Sequence, residues 1–118
     1  KLRDSGMKKK AEININVLLD ENNMPEKITW NASDTGIEKD KEADSMLLSF
    51  WDKNEKTTLG LDLWTKDMFV ENMNIHVYET LLKLAETYKN STQKTNTAAL
   101  LQDFAKKFGN EVKLFNKN

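Results

Sequence analysis

The spacing of apolar residues changes once along this chain, and that change limits the folds open to it. Ala11, Ile13, Ile15, Val17 and Leu19 alternate with Glu12, Asn14, Asn16 and Leu18. This period of two belongs to a strand with one buried face. From Val70 the apolar residues instead step by three and four, through Met73, Val77, Leu81, Leu84 and Tyr88. Ile75, Tyr78, Leu82 and Ala85 widen that stripe to an arc of roughly 200° at 100° per residue. A chain patterned for strands first and helices last falls in the α+β class.

Between these segments the punctuation is uneven. Asp20 to Pro25 is a cluster of turn formers holding the only proline, and Ile28-Thr29-Trp30 then reads as a short extended piece. Residues 31–44 are dominated by charged and small polar residues and read as a solvated loop. A strand is predicted near 45–51, with Met46, Leu48 and Phe50 on one face. Another is predicted near 57–64, with Leu59, Leu61 and Leu63 on one face, the two joined through Asp52-Lys53-Asn54-Glu55. The opposite face of this hairpin mixes Leu47, Trp51 and Trp64 with Ser49, Thr58, Gly60 and Asp62, so something is expected to cover part of it. A second helix follows the polar break "NSTQKTNT", capped by Asn96 or Thr97 and carrying Leu101, Phe104, Ala105, Phe108 and Val112. Gly109 is a candidate end for it, with Val112, Leu114 and Phe115 packing as a tail. The expected architecture is an antiparallel β-sheet of three to four strands packed by two C-terminal helices. Residues 7–118 form a single compact domain in this reading.

Composition removes several function classes. Among 118 residues there is no cysteine, which rules out disulfides, thiolate metal sites and thiol nucleophiles and suits a reducing compartment. Lys1 to Gly6 precede a methionine that looks like a natural start and read as an expression remnant. Without them, 16 lysines stand against 18 acidic residues, a net charge of −2, and no arginine remains. Lacking the planar fork that grips phosphates and guanine edges, the chain is not expected to bind nucleic acid. The longest aliphatic run, Met46-Leu47-Leu48, is far short of the roughly 20 residues that cross a bilayer, so no membrane insertion is expected. After Lys8, Lys9 and Lys10 the polar residues Glu12, Asn14 and Asn16 interrupt what a secretion signal would need, which points to the cytoplasm.

No catalytic constellation emerges. His76, the only histidine, falls beside Asn72, Glu79, Lys83 and Glu86 on the polar side of the first helix; Glu79 alone does not complete a metal set. The carboxylates lie in mixed-charge stretches such as "IEKDKEAD", without the apolar surroundings that separate two pKa values for acid–base work. No serine sits in a glycine elbow, and no glycines are spaced to cradle phosphate. The expectation is a protein that is not an enzyme and has no catalytic residues, cofactor or metal. Met68 and Met73 read as core filling. The candidate interaction surface is Trp30, Asn31, Asp34, Trp51 and Trp64, because tryptophan beside Asn and Asp suits a binding anchor as well as a core lid.

Three stretches, "LDENNMPEKITWNASD", "MLLSFWDKNEKTTLGLDLWTKDM" and "LLKLAETYKNST", resemble the hallmark blocks of the gliding motility protein GldC family of the Bacteroidetes. The resemblance implies a soluble cytoplasmic accessory of gliding, the surface motility linked to type IX secretion, and supplies no catalytic residues. The leading reading is a non-catalytic protein–protein interaction module whose partner is a protein component of the gliding machinery, or a second copy in a homo-oligomer, bound through the mixed hairpin face or the apolar arc of the first helix. The alternative is a small-ligand-binding protein or enzyme with a pocket between sheet and helices, lined by Trp30, Trp51 or Trp64. A lysine-driven contact with an anionic surface through Lys8, Lys9 and Lys10 is a third reading.

Overall fold

The computed structural model describes residues 9–115, so Lys1 to Gly6, read as a remnant, and Lys8 lie outside the described residues. It divides into two compact units, one ending at Asp67 and the other beginning at Met68. The first unit is all β and the second all α. The α+β class and the two C-terminal helices are therefore as expected. Among the described residues the strands number five, in two antiparallel sheets, where the sequence pattern suggested three to four in one.

Strands β1 (Ile13–Leu19), β2 (Pro25–Ala32) and β3 (Ile37–Ala43) form one sheet in the order β1-β2-β3. The extended piece around Trp30 is thus the middle of an eight-residue central strand. The proline at its start donates no hydrogen bond, which a first strand position tolerates. Ile15 pairs with Trp30, and Val17 pairs with Ile28, which in turn pairs with Ala43 on the other side. These residues share one face, and Ile28, at 1% exposure, is the large apolar side chain most completely removed from water there.

The segment read as a loop over 31–44 is corrected: only Ser33 to Gly36 turn, and Ile37 to Ala43 return as β3. Asp34 and Gly36 carry positive φ (59° and 80°), and the Thr35 hydroxyl donates to the Ala32 carbonyl at 2.9 Å. Charged residues form a strand here because β3 is an edge, where Lys39, Asp40, Lys41 and Glu42 keep their heads in water while the backbone pairs with β2.

The β1–β2 turn is organised by Asp20. Its carboxylate accepts the backbone N–H groups of Asn22 (2.8 Å) and Met24 (3.0 Å), while Asn23 adopts φ 63°. Those donors, Met24 first and then Asn22, hold the Asp20 carboxyl below its ordinary pKa. A lowered folded-state pKa adds stability above the unfolded pKa and loses it as pH falls through the folded value. Asp20→Asn should therefore be less stable than the parent at neutral pH, with the gap closing below about pH 4. Urea titrations of both proteins across that range check this.

Strands β4 (Ser45–Trp51) and β5 (Thr58–Trp64) make a separate two-stranded ribbon. Only Asp44 separates β3 from β4. Ala43 pairs with Ile28 in the first sheet and Ser45 with Trp64 in the second, so the chain changes sheets across one residue. Buried Thr65 fixes that corner: its N–H donates to the Asp44 carbonyl at 2.8 Å and its hydroxyl to Asp44 Oδ1 at 3.2 Å. At the far end Asp52 closes the hairpin, its carboxylate accepting the N–H groups of Asn54 and Glu55 at 3.1 and 2.6 Å.

In the second unit α1 (Val70–Thr92) and α2 (Thr95–Glu111) pack against each other along small residues, with Ala85 buried on one helix and Ala98, Ala105 and Gly109 on the other. The short break between them is made by Gln93, whose left-handed backbone (φ 62°) lets its N–H close on the Lys89 carbonyl at 2.8 Å. Neither Asn96 nor Thr97 caps α2. The helix starts earlier, from Lys94, whose carbonyl takes the Ala98 N–H, and no side chain caps it. Nor does α2 stop at Gly109. It runs to Glu111 and ends in a Schellman turn, with Lys113 at φ 62°, Leu114 N–H on the Gly109 carbonyl (2.9 Å) and Lys113 N–H on that of Asn110 (3.1 Å). The turn brings Phe115 back edge-on to Tyr78, ring centroids 5.4 Å apart. His76, expected on the polar side of α1, is half-buried.

Candidate interaction surface

The five residues singled out from the sequence do not share one surface. Trp30 and Asn31 are neighbours in a strand and so point to opposite sides of the first sheet. Trp30 is half-buried on the apolar face, where it lines a cavity of about 130 Å³ with Ile13, Ile15, Ile28, Ala43 and Met46. Asn31 sits on the other face at the centre of a polar ladder across all three strands. Its Oδ1 accepts from Asn14 Nδ2 at 2.9 Å and its Nδ2 donates to Asp40 Oδ1 at 2.7 Å. Asp34 is in the β2–β3 turn, exposed.

Trp51 and Trp64 do share a face. The ribbon register opposes Ser45 to Trp64 and Trp51 to Thr58, which places the two indoles on the same side of β4–β5. Six strand positions put them about 20 Å apart, with Leu47 between them. They are 68% and 57% exposed. The reverse face is formed by the pairs Met46–Leu63, Leu48–Leu61 and Phe50–Leu59, without a polar side chain. Its distal half is open to water, with Phe50 at 58% and Leu61 at 54% exposure.

A ribbon apolar on one face and tryptophan-bearing on the other is unusual for a surface, because a two-stranded hairpin gains little from its own pairing. The alternating leucines of 57–64 suit a core face and an exposed docking face alike. The signal that separates the readings lies in the sequence: both faces of the hairpin carry large apolar residues, more than one covering layer accounts for. Among the described residues no group of three or more His, Asp or Glu side chains gathers to hold a metal, and no helix is long and apolar enough to cross a membrane.

The model of one protein family, described as gliding motility-associated protein GldC-like, matches residues 25–114. The chain belongs to the GldC-like family. The match takes in β2 to β5 and both helices, and with them Trp30, the ribbon and the helical hairpin. No curated protein and no solved structure matches the chain. Membership of the GldC-like family makes this a gliding motility-associated protein and assigns no reaction to it.

Proposed function

We propose that the protein is a non-catalytic, cytoplasmic accessory of gliding motility that works by binding a protein component of the gliding machinery through the β4–β5 ribbon. The observation that carries this reading is the exposure of Phe50, Leu59, Leu61, Trp51 and Trp64 on a single hairpin. Large aromatic side chains desolvated by a partner give most of the energy of a protein interface, and each truncated anchor costs about 2 kcal/mol or more. Phe50→Ser and Trp51→Ser remove such anchors where folding depends on them little.

Affinity capture from a gliding cell, with the tagged parent and each variant compared by quantitative mass spectrometry, tests the reading. A motility component enriched by the parent should fall roughly tenfold or more with either variant, at an unchanged melting temperature. Equal capture by parent and variants would remove the ribbon from the interaction.

A second reading, binding of a small ligand, draws on the apolar cavity beside Trp30. Its lining holds a single hydroxyl, that of Ser45, among hydrocarbon, the Trp30 indole and the Met46 thioether, which suits an apolar group rather than a polar metabolite.

A further inference from the structure

The two edges of the three-stranded sheet are built differently. Edge strand β3 presents Lys39, Asp40, Lys41 and Glu42, the charged residues that keep a sheet edge from pairing with another chain. Edge strand β1, "ININVLL", has no charge and no proline. Ile13 is 72% exposed on it, and Leu18 and Leu19 are exposed too.

Its hydrogen-bonding side is open as well. The Ser33 N–H donates to the Glu12 carbonyl at 3.0 Å, which marks residue 12 as a hydrogen-bonded partner of β2. Antiparallel pairing alternates, so Asn14, Asn16 and Leu18 also turn their backbone groups toward β2. Ile13, Ile15 and Val17 then direct theirs outward, along an edge that no other described strand occupies.

We infer that β1 is the contact strand of a symmetric dimer, in which it pairs antiparallel with β1 of a second copy about a two-fold axis at Ile15. In that register Ile13 faces Val17 of the second copy and Ile15 faces its own equivalent, so these three residues stay on the apolar face. Asn14 meets Asn16 on the polar face. The charges flanking the strand complement one another in an antiparallel pair: Lys9 and Lys10, the latter 3.5 Å from Glu12, precede β1, and the Asp20–Glu21 turn follows it, so the basic end of each copy lies beside the acidic turn of the other, at both ends by symmetry. Two three-stranded sheets become one of six strands, its outer edges the charge-protected β3 of each copy.

Sedimentation velocity at micromolar concentrations and low salt should give twice the chain mass, with dissociation promoted by added salt. Lys9→Glu together with Lys10→Glu sets acidic residues beside the Asp20–Glu21 turn of the second copy at both ends and should weaken the dimer about tenfold or more, with the melting temperature of the dilute monomer little changed. The chain has no cysteine, so Asn16→Cys can carry a single nitroxide. Across the two-fold its backbone lies within about 10 Å of its equivalent, and its spectrum should broaden by spin–spin coupling. The same label at Glu42→Cys, on β3, should stay sharp. A parent that sediments as a monomer throughout overturns the inference. So does a dimer in which the Asn16 label stays sharp or the lysine reversals have no effect.

Discussion

Gly109→Val is expected to destabilise the protein by roughly 2–4 kcal/mol, and by less where Phe115 is already truncated. A Cβ at residue 109 would stand 2.6 and 2.7 Å from two ring carbons of Phe115 and 3.2 Å from Cδ1 of Tyr78. Carbon atoms do not approach so closely, so the Phe115 ring must leave. That forfeits its edge-on contact with Tyr78, worth about 0.5–1.5 kcal/mol beyond the area it covers. The valine methyls then press on Tyr78, and overpacking of this kind costs about 1–3 kcal/mol. Replacing a mid-helix glycine returns only a few tenths, since valine is itself a modest helix former. Gly109→Ala makes the balance sharper. Alanine gains roughly 0.8–1 kcal/mol of helix propensity, so it should destabilise the parent mildly yet stabilise a Phe115→Ala background. A double-mutant cycle by chemical denaturation reads this directly, and an equal effect of Gly109→Ala in both backgrounds would refute the account.

Gly109 also illustrates what is and is not readable in the sequence. A glycine near the end of a helical stripe is ordinarily its terminus, whereas here the left-handed position falls four residues later, on Lys113. The glycine is needed for the ring that returns upon it, and no local pattern announces that contact. The apolar period, by contrast, located β1, both strands of the ribbon and both helices to within a few residues, because each buries at least part of one face or stripe. It missed β3, since "IEKDKEA" has almost no apolar period and a charged edge strand needs none when a neighbour supplies its hydrogen bonds.

The candidate surface was legible in part for the same reason. Trp51 and Trp64 were found because their strands were found. Trp30 and Asn31 were grouped because tryptophan beside Asn and Asp suits a binding anchor when the extended piece around it is short. Once β2 is a full strand, the period of two separates them, Trp30 to the apolar face and Asn31 to the amide ladder. The distal face of the ribbon, Phe50 with Leu59 and Leu61, is legible as a shared face, but alternation alone does not reveal whether a face it creates is covered.

Ile28→Ala should cost about 3–4 kcal/mol, and the way that cost responds to a small apolar solute separates a structural from a binding role for the Trp30 cavity. Three carbons leave a side chain 1% exposed on the central strand, a transfer loss of about 2.4 kcal/mol at 0.8 per methylene. The space left behind adds a cavity contribution of order 1 kcal/mol, near 24 cal/mol for each Å³ that does not collapse. That space merges with the existing cavity of about 130 Å³, because Ile28 is one of its walls. An enlarged apolar cavity stays dry and takes in benzene-sized molecules. Benzene or indole should therefore raise the melting temperature of Ile28→Ala, by mass action on the folded state alone. If the parent is stabilised to the same extent, the cavity is already a working apolar site with Trp30 in its wall. If only the variant responds, Ile28 and Trp30 serve packing, and the binding energy of this fold lies with the ribbon. A loss under about 1 kcal/mol for Ile28→Ala would contradict the packing described for the central strand.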